Sequence, residues 1–213
     1  MKHPSDIPFL VKVCGITNEE DARISVEAGA NALGFNFYER SPRYVLPETA
    51  SKIAAGLPES VLRVGIFVNG EPEEVAAIAA RVPLDVVQLH GERAARLQYR
   101  TWRAIAAGHG APEADLAVEA YLLDTYTPAY GGSGQTFDWN LAAEYEGRLI
   151  LAGGLDAENV GQAIATARPW GVDACSRLEA QPGKKDAARV RAFVTASLRA
   201  AHATAGATQE YTL

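Results

Sequence analysis

The chain has 213 residues, 48% hydrophobic and 22% charged, which is enough for one buried core and short for two. No apolar run nears the roughly 18 residues of a membrane span, the start MKHPSDIPFL has no apolar secretory stretch, two cysteines are too few for a disulfide framework, and no Cys/His cluster has zinc spacing. A formal charge of −6 without a basic block argues against nucleic acid or anionic lipid as partner, so the expectation is a cytoplasmic protein whose anionic ligands are met by local positive groups.

Strand-length apolar runs alternate with segments of helical spacing. FLVKVC at 9–14 ends on Lys12, Val13 and Cys14, and precedes NEEDARISVEAG at 18–29, for which Thr17 or Asn18 is the cap. NALGFNF at 31–37 leads into the loop ERSPRY, with Arg43, and then LPETASKIAAGL at 46–57, opened by Pro47. VLRVGIFV at 61–68 precedes EPEEVAAIAARV at 71–82, opened by Pro72, and LDVVQLH at 84–90 ends on Gln88, Leu89 and His90 before ERAARLQY at 92–99. TWRAIA at 101–106 is followed by a short helix around PEADLAVE. AYLLDT at 120–125 carries Asp124. The next stretch, GGSGQTFDW at 131–139, has three glycines in four residues, which suits a mobile flap, and overlaps a helical DWNLAAEYE at 138–146. RLILAG at 148–153 runs into Gly153 and Gly154 ahead of DAENVGQAIATA at 156–167, with Asp156 in the first turn. WGVDAC at 170–175 ends on Asp173, Ala174, Cys175 and then Ser176, and KDAARVRAFVTASLRAA at 185–201 is the last helix.

Eight strands alternating with helices at this length predict an α/β fold, a (β/α)8 TIM barrel in a single domain over residues 1–200, with 201–213 as a frayed tail. An open doubly wound sheet is the second choice. It would normally carry a glycine-rich phosphate turn after its first strand, and CGITNEED has one glycine.

In such a barrel the chemistry lies at the carboxyl ends of the strands. Strand alternation puts Lys12 with Cys14, Gln88 with His90, and Asp173 with Cys175 on common faces. Taken singly, each residue has an ordinary structural role: a cysteine ending an apolar strand is a small hydrophobe, an aspartate before threonine a turn residue, His90 a loop histidine, Arg43 a solvated charge. Taken together, a thiol, an acid, an imidazole and a guanidinium converge on one mouth. Glycine-bearing turns follow strands seven and eight, where barrels hold phosphate.

The stretches VKVCGIT, GFNFYERSPRYV, VGIFVN, VVQLHGE, LLDT, GGSGQTFDW, ILAGGL and PGKKD, in this order, resemble the phosphoribosylanthranilate isomerases of tryptophan biosynthesis. The resemblance covers nearly all of the chain up to the last helix. It implies an Amadori rearrangement of N-(5-phosphoribosyl)anthranilate to 1-(2-carboxyphenylamino)-1-deoxyribulose 5-phosphate without metal or cofactor, in a monomer or homodimer. It also implies Cys14 as general base, Asp124 as general acid, Arg43 facing the anthranilate end, and His90 and Asp173 lining the pocket. Phosphate would fall to Gly153, Gly154 and the segment at Cys175, Ser176 and Arg177. One departure stands out: where the family reads VDVSSGVE this chain reads VDACSRLE, so that Cys175 replaces a serine and Arg177 a glycine. Arg177 is expected to meet the phosphate, although its side chain could also obstruct it.

The chemistry needs one group to protonate the ring oxygen and another to take the proton from the neighbouring carbon. Lys12 would either favour a thiolate at Cys14 or pair with Asp173 across the barrel seam, and the two cysteines should lie close together. Two alternatives are a histidine-pathway sugar-phosphate isomerase, against which Cys14 argues, and a noncatalytic phosphate-binding barrel, against which the retention of both Cys14 and Asp124 argues.

Overall fold

The computed structural model describes residues 7–91, 97–109, 118–125, 136–145 and 147–209. Eight parallel strands, β1 (Leu10–Val13), β2 (Ala32–Asn36), β3 (Leu62–Val68), β4 (Val86–His90), β5 (Thr101–Ala106), β6 (Val118–Asp124), β7 (Leu149–Leu151) and β8 (Gly171–Ala174), follow one another round a closed barrel. The seam closes where Leu10 to Val13 of β1 stand in register with Gly171 to Ala174 of β8. All eight predicted strands are present, and β6 begins two residues before the predicted run.

Period-two alternation builds two cores. Leu10, Leu62, Val64, Val86, Trp102, Leu122 and Ile150 fill the barrel interior. Their strand neighbours, such as Val11, Val13, Leu33, Phe35, Leu123 and Val172, face outward against the helices. Lys12 shares the inward face with Leu10, which is why a lysine is fully buried here.

The helices are α1 (Glu19–Glu27), α2 (Pro47–Ala55), α3 (Pro72–Arg81), α4 (Val160–Ala167) and α5 (Ala187–Gln209). Of the two candidate caps for α1 it is Asn18 that acts, its Oδ1 accepting from Asp21 N at 2.9 Å. Prolines open α2 and α3 as expected, since their missing N–H is one the first turn cannot use. Helix α5 runs past residue 200 through Gln209, consistent with its alanine-rich composition. The predicted helix at 138–146 is a 3₁₀ helix, Trp139–Glu144, with Asp138 accepting from Asn140 N at 3.0 Å. Residues 92–96, most of the PEADLAVE stretch, and the glycine-rich part of the expected flap lie outside the described residues.

One element was not anticipated. After β8 the chain forms an antiparallel hairpin of β9 (Glu179–Gln181) and β10 (Lys184–Lys185), turned by Pro182 and Gly183. Buried Asp21 ties it to α1 by accepting from Lys185 N at 2.8 Å.

Candidate active site

At the carboxyl end of the barrel, Asp124, Gly153, Gly154, Asp173, Cys175 and Ser176 line one cleft. Asp124 ends β6, and its Oδ1 accepts from Thr125 N at 2.8 Å. Gly153 lies tight against this turn: a Cβ there would stand 2.3 Å from Thr125 Oγ1 and 3.1 Å from Asp124 Oδ1, on a backbone with φ +79°. Gly154 O accepts from Asn159 Nδ2 at 2.8 Å, and Asn159 also exchanges hydrogen bonds with Asp156, which holds this turn at the start of α4.

Across the seam, Lys12 Nζ lies 2.9 Å from Asp173 Oδ2 inside the barrel. Ion pairing with Asp173, one of the two possibilities raised for Lys12, is therefore realised, and the charge of the lysine acts on Cys14 as well. The other carboxylate oxygen, Asp173 Oδ1, and Gln88 Oε1 are buried without a hydrogen-bond partner among the described residues. Such acceptors suit the hydroxyls of a polar ligand. Gln88 Nε2 lies 2.8 Å from His90 Nε2. An amide nitrogen only donates, so His90 Nε2 is an acceptor and the ring is neutral. Burial, helped by the charge of Lys12, pushes the imidazole down to about 4 and keeps it uncharged near neutrality.

Burial first, and then the like charge of Asp173, push Asp124 up to about 6, against the pull of Thr125 N and Lys12. Its carboxyl can therefore hold a proton far closer to neutrality than an ordinary aspartate. The thiols divide in opposite directions. A hydrogen bond with Cys175, followed by burial, raises Cys14 well above the ordinary thiol range, and these outweigh the opposing pull of Lys12. The same hydrogen bond, helped by Lys185 and Arg43 and opposed by burial, brings Cys175 down to about 7. The expectation that Lys12 makes Cys14 a thiolate has the sign of that one interaction right, but the neighbouring thiol and burial decide the outcome.

The family model described as N-(5'phosphoribosyl)anthranilate (PRA) isomerase matches residues 11–196, nearly the whole barrel. The chain belongs to this isomerase family. Among its relatives, the N-(5'-phosphoribosyl)anthranilate isomerase of Citrifermentans bemidjiense is 48% identical over 194 residues, covering 86% of this chain and 94% of that protein. The crystal structure of phosphoribosyl anthranilate isomerase from Thermotoga maritima is similar with a TM-score of 0.78 at 42% identity, covering 90% of this chain and 99% of that one. A further isomerase structure, in complex with reduced 1-(o-carboxyphenylamino)-1-deoxyribulose 5-phosphate, matches with a TM-score of 0.75 at 39% identity over 90% of this chain and 99% of that one.

Of the residues that the family resemblance singled out, Asp124, Gly153, Gly154, Asp173 and Ser176 share the cleft, and Cys14 adjoins it through Cys175. His90 is bonded to Gln88. Two arginines are paired with carboxylates. Arg43 forms a two-pronged pair with buried Glu179, Nε to Oε1 at 2.9 Å and Nη2 to Oε2 at 2.8 Å. Arg177, expected to meet phosphate, lies at the cleft rim with its side chain 42% exposed and gives Nη1 to Asp156 Oδ2 at 2.6 Å. Gln88, Glu179 and Lys185 were not among the expected site residues. Glu179 and Lys185 sit in the quoted stretches VDACSRLE and PGKKD, but in a linear reading they pass for solvated charges, because only the hairpin turns them inward. Among the described residues no three His, Cys, Asp or Glu side chains gather as metal ligands, and no helix is long and apolar enough to cross a membrane.

Proposed function

We propose that this chain converts N-(5'-phosphoribosyl)anthranilate to 1-(2-carboxyphenylamino)-1-deoxyribulose 5-phosphate, the isomerisation of tryptophan biosynthesis, and that the barrel of residues 1–200 carries the activity as one domain. The observation that carries the reading is an aspartate held near neutrality, Asp124, at the same barrel mouth as the thiol of Cys14. Asp124 gives its proton to the ring oxygen as the C1–O bond breaks, leaving a protonated imine. Cys14 takes the proton from C2, and the resulting enol becomes the ketone.

The other assignments follow from what each group offers. Asp173 Oδ1, held by Lys12 on its other oxygen, accepts from ribose hydroxyls. Neutral His90 lines the wall beside Gln88. Gly153, Gly154 and Ser176 present backbone N–H groups to the phosphate. Arg43, braced by Glu179, faces the anthranilate carboxylate. Arg177 acts on phosphate at second hand, by clamping Asp156 and with it the glycine turn. Neither the histidine-pathway isomerase nor the noncatalytic barrel draws support from the family match.

The test is direct. Protein added to freshly made phosphoribosylanthranilate should lower the anthranilate fluorescence with saturation kinetics, and Cys14→Ala should reduce kcat by about 10²- to 10⁴-fold with little change in KM. Unchanged fluorescence with wild-type protein would sink the assignment.

A further inference from the structure

The two thiols of this chain, Cys14 and Cys175, are adjacent across the barrel seam. Val13 stands in register with Ala174 and Cys14 N donates to Ala174 O at 3.0 Å, which sets Cys14 and Cys175 side by side at the ends of β1 and β8. Cys175 Sγ and the Arg43 side chain both pack against Gly15, where a Cβ would come within 2.9 Å of each. Lys185 Nζ lies 3.8 Å from Cys175 Sγ and 3.0 Å from Glu179 Oε1.

Glu179 on β9 pairs with both Arg43, from the loop after β2, and Lys185 of β10, so two cations share one carboxylate beside Cys175 Sγ, which lies 3.9 Å from Glu179 Oε1. On the other side Lys12 of β1 is paired with Asp173 of β8, and Asp124 of β6 faces that pair. Buried charges are normally compensated, and a negative charge on the two thiols completes the balance on the hairpin side.

We propose that Cys175 is a positioning residue for the base: the two thiols hold one proton between them, and Cys175 takes the proton of Cys14 as Cys14 takes the one from C2 of the ribose. The proposal rests on Cys14 being the base. In the step, the Cys14 S–H bond breaks toward the Cys175 thiolate, and the freed Cys14 electron pair forms a new S–H bond with the C2 proton. The C2–H electrons become the C1=C2 bond, and the imine electrons return to nitrogen. Both sulfurs then carry protons. One passes to C1 as the ketone forms, the hydroxyl proton returns to Asp124, and every group is restored.

This arrangement has a pH signature. With the acid near 6 and the thiol pair near 7, the form having Asp124 protonated and one thiolate is a minor species, most populated midway between, at about 6.5. In Cys175→Ser, where burial still opposes ionisation of Cys14 and the neighbouring thiol is gone, the optimum of kcat/KM should rise and its maximum fall, by at least about 0.7 of a pH unit and about twentyfold if the lone thiol ionises no more easily than a free one. Thiolate absorbance of the resting wild-type protein should gain one equivalent near neutrality, and the variant should gain none there.

The experiment compares wild type, Cys175→Ser, Cys175→Ala and Cys14→Ala as full chains, by fluorescence assay across pH and by absorbance titration. The same upward displacement in both Cys175 variants supports the shared proton. An unmoved optimum alongside an inactive Cys14→Ala overturns it and leaves the base assignment standing. A uniform loss at every pH also overturns it, because a packing role would act in that way. A Cys14→Ala enzyme with near-normal kcat removes the base assignment, and the proposal with it.

Discussion

Replacing Asp124 with asparagine isolates the proton donor, because asparagine has the same shape and its oxygen can still accept from Thr125 N. A carboxyl near 6 is protonated in about a tenth of molecules at pH 7, against about one in 1,600 for a group at 3.8, so the site multiplies the acid form roughly 140-fold. Losing the donor should cost about 10²- to 10⁴-fold in kcat and leave KM within a few-fold. Measured by anthranilate fluorescence, wild-type kcat/KM should fall on the alkaline side above about pH 7, and this decline should be absent in Asp124→Asn. The same shift carries a stability cost of opposite pH sign. The folded-state pKa lies above the unfolded value, so the group's contribution is fully present below the unfolded value and is lost as pH rises through about 6. Asparagine should therefore melt above wild type at pH 7 to 8, by an amount whose ceiling is about 3 kcal/mol, and show no advantage near pH 4. A variant that keeps wild-type kcat, or that keeps the alkaline decline, would refute the role of Asp124 as acid.

Lys12→Met should destabilise by about 3 to 5 kcal/mol in urea unfolding, because it strands Asp173 in the barrel interior, and adding Asp173→Leu should restore most of the loss. No recovery in the double variant would mean that the pair contributes stability beyond mutual compensation. Gly153→Ala should lower both stability and kcat, since its Cβ would drive Thr125 away from Asp124; full activity would show that the turn relaxes freely. Arg177→Gly should change inhibition by inorganic phosphate by less than about fivefold, because this half-exposed guanidinium is already engaged by Asp156. A loss of more than about tenfold would restore the direct contact expected from the sequence.

Much of this site is visible in the linear sequence because it sits where strands end. The alternation of apolar runs and capped helical segments sufficed for an eight-unit barrel, and the barrel rule then assigned Cys14, Asp124, the Gly153–Gly154 turn and Asp173 to one mouth. Local chemistry also sufficed for the prolines that open α2 and α3, since a proline's fixed φ and missing N–H act within one turn. The hairpin β9–β10 escaped notice, although its Pro–Gly turn was legible, because strands of three and two residues leave no periodicity to read.

What the sequence determined by itself was therefore the fold and the set of groups at its mouth, through patterns with periods of two and 3.6 residues. Which group meets which was decided by tertiary structure alone. The Lys12–Asp173 pair depends on the register of β1 against β8, the Arg43–Glu179 pair joins residues 136 apart, and the lowered thiol at Cys175 depends on Lys185, brought in by the hairpin. The physical reason is range. Hydrophobic periodicity and capping are read over a few neighbouring residues, whereas a pKa or an ion pair is set by charges within several ångströms, and only closure of the barrel brings those together.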